Sequence, residues 1–203
     1  MAIDEALLDE AQRSGACFLR LYRWDPPTLS IGRNQSAAGL ACDGVPIVRR
    51  PTGGRAVWHE HEVTYAVAAP IATFGSLRGA YWEIHAWLAS ALRSLGVDAS
   101  LAIRPAVRPS ARPTACFAVS AGGEILVNHR KLVGSAQVRR RDAFLQHGSI
   151  LLDGSQAIVN AGEETTLASV LQRPVSFAEV AAAITAAWGQ PLRASALASL
   201  AAE

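Results

Sequence analysis

One long segment with helical periodicity, residues 77–95, sets the framework of the fold. Its apolar residues recur every three or four positions and Gly96 follows, which predicts a helix packed against a sheet. Short apolar segments bounded by glycine and proline surround it and are typical of strands. They span residues 18–24, 28–31, 45–48, 63–68, 124–127, 132–138 and 149–152. Strands and helices mixed in this way indicate an α+β or mixed α/β class.

Two further helices are predicted near the ends of the chain. Residues 1–14 form a short amphipathic pattern that ends at Gly15. Ser176 and Glu179 form a capping box that opens an alanine-rich helix reaching Trp188. Half of the 203 residues are apolar, which is ample material for one core, and no repeat or linker interrupts the pattern. We therefore expect a single domain over residues 1–203.

The charge balance and the cysteines argue against several classes of protein. A net charge of +2 gives no support for a nucleic-acid partner, and the basic run 139–141 is interpreted as a solvated turn. No segment approaches the roughly 20 apolar residues of a membrane span, and the N-terminus is acidic, so we expect a cytosolic protein without membrane contact. Three cysteines without CxxC spacing predict free thiols and no metal site.

Lys131 is the only lysine among nineteen basic residues. A GC-rich coding bias explains a general preference for arginine, but it does not explain the exception. A compact ammonium and a planar guanidinium do different chemistry. Lys131 is therefore a candidate functional residue before any motif is considered.

Residues 49–59, RRPTGGRAVWH, place two glycines between arginines. Gly53 and Gly54 allow the backbone to approach a ligand closely, and Arg50 and Arg55 can hold a carboxylate or a phosphate. The segment predicts either a site for a polar acyl head group or a β-turn with incidental arginines. The two interpretations have equal weight on physical grounds, because the pattern is not that of a phosphate loop.

Residues 116–149 combine a thiol, an ammonium and an imidazole, in Cys116, Lys131 and His147. A thiolate attacks a thioester readily, and a nearby cation lowers the pKa of the thiol and stabilises the oxyanion that forms. This inventory suits acyl transfer. The alternative is a cysteine that packs as a small core residue and a histidine with a structural role.

The segments RRPTGGRAVWHEHEVTYAV, CFA, GEILVNHRKLVGSAQ and FLQHGSILLD follow one another along the chain. With MAIDEALL near the start and ETTLASVLQRPVSFAEV near the end, they resemble the biotin/lipoate protein ligase superfamily, and most of all the LipM-type octanoyltransferases. The resemblance covers nearly the whole chain. It implies a mainly antiparallel sheet packed with helices, the catalytic fold shared by biotin ligases and class II aminoacyl-tRNA synthetases.

The resemblance also assigns roles to residues. It implies that Cys116 is acylated and that Lys131 acts at the acyl carbonyl, whereas Cys17 and Cys42 match no functional position. The substrate-binding residues that it implies are Arg50, Gly53, Gly54, His147 and Gly148, and we also predict substrate contacts for Arg55, His59, Gly134 and Ser135. Compared with the family, we expect a first strand to be missing before Met1 and no room for an accessory domain after the last helix.

The leading hypothesis is an octanoyltransferase. An octanoyl group would move from acyl carrier protein to Cys116, and then to the lysine of a lipoyl carrier domain such as glycine cleavage H protein, without a cofactor or a metal. The first alternative is a lipoate, octanoate or biotin ligase that uses ATP and Mg²⁺ to form an acyl-adenylate. The second is a degenerate, non-catalytic member of the family.

Overall fold

The computed structural model describes residues 1–38, 40, 44–102, 123–159 and 164–189. Cys42, Cys116, the predicted loop at 104–113 and the tail after Gly189 lie outside these ranges. Among the described residues, no helix is both long and apolar enough to cross a bilayer.

A six-stranded antiparallel sheet forms the centre of the molecule, in the order β1-β5-β9-β8-β7-β6. Its strands are β1 (Phe18–Tyr22), β5 (Glu62–Pro70), β6 (Ser100–Leu101), β7 (Ile125–Val127), β8 (Arg130–Arg140) and β9 (Ala143–Leu151). A smaller sheet has β2 (Thr28–Ile31) between β3 (Ile47–Arg49) and β4 (Val57–His59), with β2 and β3 parallel. The predicted α+β class with a mainly antiparallel sheet is confirmed.

Helices cover both faces of the large sheet. They are α1 (Ala2–Ser14), α2 (Leu77–Ser94), α3 (Leu167–Leu171) and α4 (Phe177–Ala187), with 3-10 turns at Ile71–Phe74 and Ala157–Val159. Alternate residues of β5 point to opposite faces: Tyr65 and Val67 pack in the core with α2 and α4, whereas Ala66 and Ala68 pack with α1. The small alanine side chains let α1 lie close to the sheet.

The helix ends follow the sequence signals. Ser76 accepts a hydrogen bond from the Gly79 amide at 2.9 Å to begin α2, and Gly15 ends α1 in the left-handed conformation. Ser176 caps α4 through the Glu179 amide at 3.1 Å. The Glu179 carboxylate does not complete the predicted capping box, because it pairs with Arg173 at 2.6 Å instead.

The hairpin of β8 and β9 is longer than predicted. The expected strands at 132–138 and 149–152 were too short, because the polar residues Gln146 and His147 interrupt the apolar pattern of β9. The basic run at 139–141 is a turn only at Arg141, which has a positive φ of 51°. Arg140 lies in β8 and pairs with Asp9 and Glu5 of α1, so the prediction of a wholly solvated turn was wrong.

Candidate functional site

A pocket lies where the small sheet meets strands β8 and β9 of the large sheet. Its volume is about 310 Å³, counting the space that is open to solvent. It brings together six of the predicted substrate-binding residues. The first and the last of them, Arg50 and Gly148, are more than 90 positions apart in the sequence. The lining residues are Met1, Arg50, Val57, His59, Thr64, Gly134, Ser135, Ala136, His147, Gly148 and Ser149.

Arg50 is buried and holds the Gly-Gly turn together from within. One guanidinium nitrogen donates to the Ser30 carbonyl and hydroxyl oxygens at 3.1 and 2.7 Å. The other donates to the carbonyl oxygens of Gly53 and Arg55 at 3.2 and 2.8 Å. A planar fork can bridge these groups, whereas a lysine ammonium cannot reach both sets at once. Arg50 therefore shapes the turn in addition to lining the pocket.

Gly53, Gly54 and Arg55 lie in that turn, beside the pocket wall. Gly54 has a φ of +93°, a conformation that only glycine adopts without strain, whereas a side chain on Gly53 would meet open space. Gly32 packs directly against the turn, and a Cβ atom there would overlap the Gly54 carbonyl oxygen. The position of the turn thus depends on a glycine that is outside the predicted motif.

His59 is fixed by contacts on both ring nitrogens and on its face. Its Nε2 lies 2.5 Å from the Ser30 hydroxyl, and its Nδ1 lies 2.7 Å from the Glu62 carboxylate. Ser149 donates to the same carboxylate oxygen at 2.9 Å. The Trp24 ring stacks on His59 with 4.4 Å between centroids. One rotamer of His59 is therefore selected, with an edge toward the pocket.

His147 lies between the Gly-Gly segment and helix α1. Its Nε2 is 2.7 Å from the Thr52 hydroxyl, and its Nδ1 is 3.5 Å from the Asp4 carboxylate. Burial lowers the pKa of His147, although Asp4 opposes the shift. The contact of Nδ1 with Asp4 is electrostatic and is not a hydrogen bond, whereas Nε2 and the Thr52 hydroxyl share one hydrogen bond.

Asp4 is fully buried and connects α1 to strand β1 as well as to His147. It accepts hydrogen bonds from Arg20 at 2.6 Å and from Tyr22 at 2.9 Å. Burial acts to raise the pKa of Asp4, but the contacts with His147 and Arg20 outweigh it, so the pKa lies below its usual value. The carboxylate is thus ionised and anchors the first turn of α1 to the site.

Lys131, predicted as a catalytic residue, is buried in β8 and forms an ion pair with Glu124. Its Nζ donates to Glu124 Oε1 at 2.6 Å. It is not on the wall of the pocket described above, whereas Gly134 and Ser135, on the same strand, are. An ion pair this deep is costly to break, because the remaining charge would be left in a medium of low polarity.

Behind the floor of the pocket, Ser135 belongs to a buried cluster that the sequence analysis missed. Its hydroxyl lies 2.8 Å from His85 Nε2 and 2.7 Å from the Tyr65 hydroxyl. His85 Nδ1 lies 2.7 Å from the Gly123 carbonyl oxygen. Burial lowers the pKa of His85 to about 4, with the Lys131 charge acting in the same direction against the Gly123 bond. His85 is therefore neutral at physiological pH.

Comparison with known proteins identifies the family of this chain. A family model described as the lipoyl protein ligase A/B catalytic domain matches residues 1–189. The chain belongs to this family. The resemblance predicted from the motifs is confirmed, and the match includes the residues of both sheets.

Several sequence relatives of this lipoyl protein ligase A/B domain are octanoyltransferases. The octanoyltransferase LipM of Kyrpidia tusciae is 45% identical over 168 residues, which cover 75% of the chain and 61% of that protein. The octanoyltransferase LipM of Symbiobacterium thermophilum is 36% identical over 222 aligned positions, which cover 95% and 81%. The chain spans about six tenths of the length of the Kyrpidia relative and of the Carboxydothermus hydrogenoformans LipM.

Solved structures confirm the fold of the lipoyl protein ligase A/B domain. A putative lipoate protein ligase from T. acidophilum superposes with a TM-score of 0.76 at 22% identity, over 98% of the chain and 85% of that protein. A lipoate-protein ligase A bound with ATP superposes with a TM-score of 0.74 at 23% identity, over 98% and 85%. At these identities the likeness concerns the fold alone.

Three groups of residues in this lipoyl protein ligase A/B domain were missed from the sequence. Asp4 had a detectable signal, because positions 4, 7, 8 and 11 form one face of a helix and place its carboxylate on the buried stripe of α1. Glu62 and Thr52 lie beside predicted residues and had no signal of their own. His85 was hidden within the apolar face of α2.

In the described ranges, no group of three or more His, Cys, Asp or Glu side chains can hold a metal ion.

Proposed function

We propose that this protein transfers an octanoyl group from acyl carrier protein to Cys116 and then to the lysine of a lipoyl carrier domain such as glycine cleavage H protein. The observation that carries the proposal is the convergence of Arg50, His59, Ser135 and His147 on one pocket. These residues come from three separate sequence segments, and the relatives of the chain in Kyrpidia tusciae and Symbiobacterium thermophilum are octanoyltransferases. The proposal includes a cytosolic location and needs no cofactor or metal.

In this proposal the acyl chain lies along the pocket, with its carbonyl at the polar end. Gly134 and Gly148 leave the floor without side chains, and Val57 and Ala136 supply apolar walls. Burying about six methylenes at roughly 0.8 kcal/mol each gives about 5 kcal/mol, which selects a medium-length chain over acetate. Arg50 and the Gly-Gly turn close the polar end.

Gly148 is required for this floor. A Cβ atom at that position would overlap the Gly134 carbonyl oxygen and would lie 2.6 Å from Ser135 Oγ and 2.8 Å from the Tyr65 ring. Strands β8 and β9 therefore meet without a side chain between them at the point where the acyl group enters. The proposal assigns Gly53, Gly54 and Arg55 to the opposite rim.

Lys131 and Cys116 carry the chemistry in this proposal. Cys116 precedes Gly123 by seven residues in sequence, and Glu124, the partner of Lys131, follows directly. The thiolate of Cys116 attacks the octanoyl thioester, and the carrier thiol leaves with a proton. The Lys131 ammonium stabilises the oxyanion in each half-reaction, in exchange for part of its contact with Glu124.

Intact-mass spectrometry tests the proposal. The protein is incubated with octanoyl acyl carrier protein, with and without ATP, and its mass is followed over time. We expect a gain of one octanoyl group without ATP, its loss in Cys116→Ala, and its retention in the matched variants Cys17→Ala and Cys42→Ala. An adduct that forms only with ATP, or that survives Cys116→Ala, would replace the transferase with an acyl-adenylate ligase.

A further inference from the structure

A continuous chain of hydrogen bonds runs behind the pocket, and backbone carbonyls fix its direction at both ends. At one end, Gln137 Nε2 donates to the Leu77 carbonyl at 3.1 Å and to Gln146 Oε1 at 2.8 Å. The Gln146 amide nitrogen therefore faces Tyr65 and donates to its hydroxyl at 3.1 Å. Each amide has one orientation, because a carbonyl oxygen can only accept.

At the other end, the Gly123 carbonyl fixes the tautomer of His85. Since the carbonyl oxygen accepts, the proton of the neutral ring lies on Nδ1, and Nε2 is a bare acceptor. Two hydroxyl groups face this acceptor, Ser135 at 2.8 Å and Tyr65 at 3.2 Å. Burial raises the pKa of Tyr65 well above its usual value, so the phenol keeps its proton.

The cluster uses the proton of Ser135 internally. The hydroxyl protons can be arranged in two ways. In the arrangement with the shorter hydrogen bonds, Tyr65 donates to Ser135 at 2.7 Å and Ser135 donates to His85 at 2.8 Å. In the other arrangement Ser135 donates to Tyr65, and Tyr65 donates to His85. A serine hydroxyl has one proton and two lone pairs. In both arrangements the proton points into the protein, and at least one lone pair of Ser135 remains for a ligand.

Ser135 is partly exposed and lines the pocket, so a ligand can reach it. An oxygen that can only accept forms no hydrogen bond with a carbonyl or a carboxylate, since the oxygens of these groups are acceptors too. It fits a donor, and in the reaction proposed above the donor that approaches the acyl carbon is the lysine amine of the lipoyl domain. As the C–N bond forms, the attacking nitrogen gains positive charge, which strengthens a hydrogen bond to a lone pair. The thioester C–S bond to Cys116 then breaks, and the proton lost by the nitrogen leaves the sulfur of Cys116 as a thiol.

We propose that Ser135 Oγ accepts a hydrogen bond from the attacking amine, and that His85 is the positioning residue that keeps the Ser135 proton away from the pocket. This inference rests on the proposed function, because it concerns the second half-reaction. The charged and titratable groups around His85 are the Lys131–Glu124 pair on the sheet side, Tyr65 on β5, and Tyr81 on its own helix, whose ring packs edge-on at 4.2 Å.

Two substitutions of His85 separate its two hydrogen bonds. In His85→Asn, the side-chain amide can still donate to Gly123, but the acceptor at the Nε2 position is lost, so one of the two hydroxyl protons must turn toward the pocket. In His85→Gln, the side-chain carbonyl can occupy the Nε2 position and restore the acceptor. Ser135→Ala removes the pocket oxygen. Ser100→Ala and His61→Asn serve as matched exposed controls.

The experiment measures the two half-reactions separately in the full chain, by intact mass for acylation from octanoyl carrier protein and by single-turnover transfer to a lipoyl domain. We expect Ser135→Ala and His85→Asn to slow transfer by about ten- to a hundredfold, the effect of losing a charge-assisted hydrogen bond, and to slow acylation by much less than transfer. His85→Gln should transfer much faster than His85→Asn, and the control variants should match the parent.

The inference is overturned by transfer at the parental rate in Ser135→Ala, by equal losses in His85→Asn and His85→Gln, or by a loss that falls equally on acylation. Melting temperatures identify any variant that fails to fold. A parental protein that forms no acyl-enzyme would refute the proposed function instead. The same variants are then compared with preformed octanoyl-adenylate as donor, because amine attack is common to both routes.

Discussion

The buried pair of Lys131 and Glu124 allows the structural and chemical roles of the lone lysine to be separated. Lys131→Met leaves the Glu124 carboxylate in the protein interior without its ammonium partner at 2.6 Å. Breaking a buried pair by removing one member costs about 3–5 kcal/mol. For a domain of this size, each kcal/mol lowers the melting temperature by about 2–4 °C, so we expect a loss of about 6–20 °C.

The double variant Lys131→Met, Glu124→Leu removes both charges and fills the space with apolar atoms. Replacing a buried pair in this way is often neutral or stabilising, so we expect most of the lost stability to return. The transfer rate should remain about 10² to 10³ times below that of the parent, because the donor to the developing oxyanion is still missing. Thermal unfolding by circular dichroism and single-turnover transfer measure the two quantities.

The two measurements distinguish the roles directly. A double variant that regains both stability and transfer would show that Lys131 is a structural residue, and the assignment of the oxyanion donor would be wrong. Glu124→Gln is the matched control, since it keeps the shape of the partner and changes its charge.

Three further predictions follow from the site. Lys131→Arg keeps the charge but adds volume to a fully buried position, so it should lose most transfer activity and about 1–3 kcal/mol of stability, as rate and melting measurements would reveal. Gly53→Val should weaken use of octanoyl carrier protein at unchanged melting temperature, whereas Gly54→Val, at a φ of +93°, should also lower the melting temperature; a Gly53→Val protein with parental rates would show that the turn does not touch substrate. Because His85 has a folded pKa of about 4 against 6.5 when unfolded, its contribution to stability is full above pH 6.5 and falls by about 3 kcal/mol as the pH drops to 4. Urea unfolding across this range should show a shallower pH dependence in His85→Asn, and an unchanged dependence would contradict the buried neutral ring.

The sequence predicted those parts of the fold that depend on local signals. The cap at Ser176 and the glycines after α1 and α2 satisfy backbone groups at helix ends, and their effect is confined to a few residues. The strand β5 was predicted because a central strand covered on both faces is continuously apolar. These features need no knowledge of distant contacts.

Strand β9 was harder to predict from the sequence, because part of it packs in the core and part of it faces the pocket. Its outer part is apolar, but Gln146 and His147 face the buried cluster and the pocket, so the alternation that marks a strand is broken where function begins. His85 was missed for a similar reason, because both of its ring nitrogens form hydrogen bonds with residues outside its own helix. Partners such as Gly123 and Ser135 are about 38 and 50 positions away, and no local pattern connects them.

The sequence predicted which residues belong to the candidate site better than it predicted the contacts between them. Arg50, His59, Ser135 and His147 were expected from their segments and do meet at one pocket. Their contacts were not foreseen, since Arg50 holds backbone carbonyls and Lys131 is engaged by a carboxylate. The roles of Cys116 and of the arginine at 55 stay predictions.

The contact between Gly32 and the Gly54 carbonyl offers a way to resize the pocket without altering any residue that lines it. Any side chain at position 32 must displace the Gly-Gly turn, and Arg50, bonded to the carbonyls at 53 and 55, would move with it. A series of alanine, serine and valine at this single position is therefore a graded spacer between the end of β2 and the Gly-Gly turn. The size of the pocket is therefore set in part by a contact between two backbone segments, and it can change while every residue that lines the pocket stays the same.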